Sequence, residues 1–130
     1  MSTLKVTNIQ DTSGGNNSTS AEIFEGRARA WCNADLTGSG SIRSSYNVNS
    51  LTDQGTGRWS FNFTTAFPNT NYVAIGLQKP NADVVNITGL HPTAPGWTTY
   101  GTSTVGFVYA NSGGGLVDPL IANMVVFSDD

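Results

Sequence analysis

From residue 27 onward, apolar and polar positions alternate with a period of two. Ala28, Ala30, Cys32 and Ala34 fall on one side of an extended chain, and Arg27, Arg29, Trp31 and Asn33 fall on the other. The cleanest alternation follows: Trp59, Phe61 and Phe63 share one side, opposite Ser60, Asn62 and Thr64. Between them, residues 42–47 and 48–52 read as two further extended pieces. The run Asp53-Gln54-Gly55-Thr56-Gly57 reads as a hairpin connection, because glycine supplies the positive φ such loops require. Beyond a break at residues 67–71 the pattern predicts strands over 72–77, more weakly over 84–90, one or two within 98–110, and a last apolar strand over 121–127. Strands at this spacing, separated by Gly, Pro, Asn and Asp, predict an all-β fold. The expectation is an antiparallel β-sandwich, jelly-roll-like or meander, with residues 27–65 as a compact meander.

The N-terminal region follows a different pattern. Residues 1–18 read as an arm and linker: Leu4, Val6 and Ile9 suggest a short extended segment, and DTSGGNNSTS is made of turn formers with nothing to bury. A lone short strand has no partner, so the arm is expected to gain structure by docking, with Leu4, Val6 and Ile9 as its apolar contacts. Thr19-Ser20-Ala21-Glu22 then matches a helix capping box with Ile23 and Phe24 behind it, and Gly26 closes one short helix. Residues 19–130 are expected to form a single β-sandwich domain.

Composition sharpens this reading. Charged residues make up only 12% of the chain and the formal net charge is −3. The polar share is carried by Asn, Thr, Ser and Gly, which suits sheets and packed assemblies. No basic stripe is present to neutralise phosphates, so nucleic acid is not an expected partner. No run approaches the length of a membrane span, so membrane insertion is not expected. MSTLKVTNIQ lacks a basic segment followed by an apolar one, so no secretory signal is expected either. A single cysteine, Cys32, forms no intrachain disulfide. Assembly in a bacterial cytoplasm fits these features.

Candidate chemistry is sparse. His91 is the one histidine and sits in a proline-flanked loop. The nine carboxylates are dispersed, with Asp35, Asp53 and Asp118 in turns where Asp has backbone reasons to occur. Glycoside hydrolysis would need two of them flanking a sugar bond, and no spacing singles out a pair. Neither Gly113-Gly114-Gly115 nor Gly38-Ser39-Gly40 ends in the G-K-[ST] of a phosphate loop. No metal, cofactor or catalytic residue is expected, and the chain is read as non-enzymatic. The segment HPTAPGWTTY is the candidate recognition loop: Trp97 and Tyr100, near His91, offer aromatic area with polar handles for a sugar or a protein groove. Tyr72 and Tyr109 are secondary candidates. The alanine-rich side around Cys32 would let another sheet, in this chain or a neighbouring subunit, approach closely.

Several segments in order, Ala30-Trp31-x-Asn33, Ile42-Arg43-x-Ser45-Tyr46-Asn47-Val48, Thr52-Asp53-Gln54-Gly55-Thr56-Gly57 and Asn62-Phe63-Thr64-Thr65-Ala66, resemble a module repeated across virion proteins of tailed phages, especially cyanophages. The likeness spans roughly residues 1–72. It departs at Cys32, where the module more often carries Val, and at Gln54, where it carries Asn or Asp. The resemblance implies a virion structural protein: an oligomeric, trimeric fibre, knob or head-decoration subunit whose arm docks on other capsid or tail proteins. A receptor- or carbohydrate-binding module at a fibre tip, meeting a host surface glycan, is the alternative. The half beyond residue 72 matches no version of the module.

Overall fold

The alternation described above builds two stacked antiparallel sheets. The computed structural model describes residues 2–3, 5–10, 12–14, 18–79, 87–90, 100–111 and 113–128. In chain order the elements are β1 (Asn8–Ile9), β2 (Ser18–Thr19), α1 (Ser20–Glu25), β3 (Ala30–Asp35), β4 (Ser41–Tyr46), β5 (Val48–Asp53), β6 (Arg58–Phe63), β7 (Tyr72–Lys79), β8 (Ile87–Leu90), β9 (Thr104–Ala110) and β10 (Ile121–Ser128). The first four-stranded sheet has the order β4-β3-β10-β7 and the second β5-β6-β9-β8. The fold is therefore the expected all-β sandwich.

Its interior divides the work unequally between the sheets. Apart from Tyr72 at the start of β7, the first sheet contributes small or slender side chains, Ala30, Cys32, Ala34, Ala122, Met124 and Val126. The second contributes bulk, Trp59, Phe61, Phe63, Phe107 and Tyr109, and all of these are buried in one cluster. Phe61 and Phe107 meet edge to face at 5.9 Å, a favourable arrangement of ring quadrupoles. The alanine-rich side thus accepts the other sheet of the same chain.

The stretch 27–65 is two hairpins, one in each sheet, rather than one meander. β3 pairs with β4 in the first sheet and β5 pairs with β6 in the second. The crossing is made at Asn47, which holds φ 55, a left-handed conformation that Asn tolerates better than most residues. Its side chain fixes the corner: Asn47 Nδ2 donates to Thr65 O (3.1 Å), and Thr65 N donates to Asn47 Oδ1 (2.8 Å).

A second anchor closes the far end. Asp118 Oδ1 accepts from both Gly57 N and Trp59 Nε1, each at 2.8 Å, and ties the start of β6 to the segment before β10. Gly57 is needed there: at φ 69, a Cβ would lie 2.6 Å from Tyr109 O.

The N-terminal residues find a local partner. β1 pairs with β2, and Ser20 N donates to Thr7 O. The capping box forms as the sequence predicts, with Thr19 N donating to Glu22 Oε2 (2.7 Å) and Glu22 N to Thr19 Oγ1 (3.1 Å).

Candidate functional site: the outer face of the first sheet

In β7 the usual orientation of an amphipathic strand is reversed. Its inward positions are Tyr72, Ala74, Gly76 and Gln78, and its outward positions are Val73, Ile75, Leu77 and Lys79. The three branched apolar side chains are 61%, 48% and 66% exposed. A one-residue slip in register would bury them. Two inward anchors prevent it: Tyr72 Oη donates to Gly101 O (2.9 Å), and Gln78 Nε2 donates to Ala110 O (2.9 Å). The Tyr72 ring also stacks on Tyr100 and meets Phe63 edge to face.

Pairing extends this exposed row across the sheet. Ile75 lies opposite Val125, Val125 opposite Trp31, and Trp31 opposite Tyr46, so one rung of all four strands is apolar on its outer side. Phe127 lies opposite Val73 and adds a second apolar step. On the other side of that rung, level with Leu77, Asn33 Nδ2 donates to Asn123 Oδ1 at 2.6 Å, so the polar pair within the face satisfies itself.

Charge is confined to the margins. Lys79 ends β7, and Arg43 pairs with Asp35 at 2.9 Å near the start of β4. The Thr37 hydroxyl and backbone N–H, with Arg43 beside them, hold the Asp35 carboxyl below its usual value. From the exposures of Trp31, Val73, Ile75 and Leu77, with the half-buried Val125 and Phe127, the uncovered apolar area is about 500 Å², reckoned from typical side-chain areas. That is at the upper end of what a monomer ordinarily exposes in one patch.

The residues singled out from sequence distribute differently. Val6 and Ile9 are exposed, and Ile9 sits in β1; Leu4 lies outside the described residues. His91 and Trp97 also lie outside them. Tyr100 is 36% exposed, with its hydroxyl donating to Tyr72 O and its ring against Tyr72, so the pair belongs to the sandwich end. Tyr72 and Tyr109 are buried, and burial pushes both phenols up from their ordinary value. Tyr109 is therefore core rather than a recognition residue. The Cys32 thiol, buried against the second sheet, is pushed up to about 11 by desolvation and stays protonated at neutral pH.

Sequence reasoning missed the outer face because alternation defines two sides of a strand without saying which is inward. A usable signal was present: in YVAIGLQK one side carries Val, Ile and Leu, and the other Ala, Gly and Gln. Among the described residues no group of three His, Cys, Asp or Glu side chains converges to hold a metal ion, and no helix is long and apolar enough to cross a membrane. No family model, curated protein or solved structure matches this chain.

Proposed function

We propose that this chain is a non-enzymatic virion structural subunit of a tailed bacteriophage, a fibre, knob or head-decoration protein that works as a homotrimer. The observation carrying the assembly part is the inverted β7, which turns Val73, Ile75 and Leu77 outward beside Val125 and Trp31. The partner for this face is a second copy of the chain. A face lacking charge at its centre is complementary to itself, and closed symmetry is the usual solution for such subunits. Three copies turning this face toward a common axis would remove about 1,500 Å² of apolar surface from water in all, about 500 Å² for each of the three contacts, to which a polar rim adds. The phage assignment rests on the resemblance in residues 1–72. The arm, with Val6 and Ile9 exposed, is the proposed docking element toward other capsid or tail proteins.

Light scattering across a dilution series tests the reading. A mass of three times the 13.7 kDa chain, falling to one chain on dilution, is expected. A monomer at every concentration, together with failure to co-purify with phage particles, would sink it.

A further inference from the structure

A cleft of about 370 Å³ opens where the β4–β5 corner meets the segment that follows β6. It is lined by Arg29, Tyr46, Asn47 and residues 64–68, so three separate sequence segments meet there. Its wall is set in advance by the Asn47–Thr65 pairing, which uses up the Asn47 amide, and by Thr64 N donating to Asn47 O at 3.2 Å. Among the described residues Arg29 is the one charged group in the lining, and none of them brings a carboxylate beside it. Its guanidinium is held 4.3 Å from the centre of the Phe24 ring on α1. Arg29 Nη1 is enclosed and has no hydrogen-bond partner among the described residues.

We propose that this cleft binds a saccharide bearing a carboxylate. Arg29 takes the carboxylate through its other guanidinium N–H groups, which unlike Nη1 are not enclosed, because a guanidinium matches that group with two parallel N–H donors. The half-exposed Tyr46 ring offers a flat surface to the apolar side of a sugar ring. Exposed Thr64 and Thr65 bring hydroxyls suited to sugar hydroxyls. A bare inorganic anion would use Arg29 alone, and a peptide carboxylate would leave both threonines idle. A sugar acid engages all three elements. The cleft lies at the β4 edge of the first sheet, the edge opposite β7, and shares only Tyr46 with the apolar rung of the outer face.

Titration of isotope-labelled protein with sodium glucuronate, followed by NMR, tests this. Saturable shifts at Arg29, Tyr46, Thr64 and Thr65, with a dissociation constant on the order of 1 mM, are expected. Glucose and acetate should each bind at least tenfold more weakly. Arg29→Gln should weaken glucuronate tenfold or more. Ala66→Trp, which fills the cleft from an exposed position and leaves the Arg29 charge in place, should abolish binding while the oligomer mass stays unchanged. The proposal is overturned if glucuronate produces no saturable shifts or if acetate matches it. A short peptide binding more tightly, or full binding by the Ala66→Trp variant, would overturn it equally.

Discussion

Ile75→Lys puts a charge at the centre of the outer face while leaving the sandwich interior alone. Ile75 is 48% exposed, so about half its side chain is available for burial by a partner. Full burial of such a side chain is worth about 1.5–3 kcal/mol, and the available half about 1 kcal/mol per copy. In a trimer the loss occurs three times, about 3 kcal/mol, before any cost of bringing three ammonium groups together near one axis. At about 1.4 kcal/mol per decade, the association constant should fall more than a hundredfold. The monomer should barely notice, because surface substitutions away from special features usually change stability by about 0.5 kcal/mol or less. Sedimentation equilibrium on both proteins reads the association constant directly, and Thr52→Lys, exposed on β5 of the second sheet, serves as control. If Ile75→Lys keeps the wild-type constant within about threefold, the outer face is not the contact and the area argument fails.

Three further outcomes follow from the interior and the termini. Asp118→Ala removes the acceptor shared by Gly57 N and the buried Trp59 indole. It should lower unfolding free energy in urea by about 3–5 kcal/mol, and a loss below 1 kcal/mol would contradict the anchor role. Cys32, with its thiol pushed up to about 11, should react with iodoacetamide at pH 8 on the order of 200-fold more slowly in the folded than in the unfolded chain, from ionisation alone. A native rate within tenfold of the unfolded one would refute that. Glu22 is held below its usual carboxylate value by the Thr19 backbone N–H and then the Thr19 hydroxyl. Its contribution is therefore present above the unfolded value and lost as pH falls through the lower folded one. The Thr19 amide resonance should titrate with a midpoint below 4.5, and a midpoint at or above 4.5 would show that the capping box does not hold in solution.

Which parts of this architecture were legible follows from what alternation encodes. The buried faces of β3 and β6, with Ala30, Cys32 and Ala34 against Trp59, Phe61 and Phe63, were readable because each strand has one side plainly suited to the core. α1 was readable from four residues, since a capping box is a local hydrogen-bonding device. The sheet change at Asn47 was not readable. A left-handed Asn can serve a hairpin or a corner, and the choice is made by a hydrogen bond to Thr65, 18 residues away. β7 was legible as a strand and illegible in orientation, because the anchors that turn Ala74 and Gly76 inward lie at Gly101 and Ala110. The cleft was invisible for the same reason: Arg29, Tyr46 and Thr65 meet only once the corner has formed.

The composition of the first sheet carries the argument one step further. A strand covered on one side normally alternates apolar with polar, whereas a strand covered on both sides reads as a nearly continuous apolar run. β10, IANMVVFS, has Ala122, Met124 and Val126 buried, while Ile121, Val125 and Phe127 on its other side are half-buried. β7 goes beyond this by giving its branched apolar residues, Val73, Ile75 and Leu77, to the outer side. Both strands have the composition of a sheet with two covered faces, in a sandwich that covers one. The small inner residues of this sheet let the aromatic second sheet approach closely, so the core does not need Val73, Ile75 or Leu77. Their bulk has no use within the monomer, and against water it is a liability. Covering by a second copy, as proposed, would turn the first sheet into the middle layer of a larger packed unit and would account for its strands and for the low charge on its outer face.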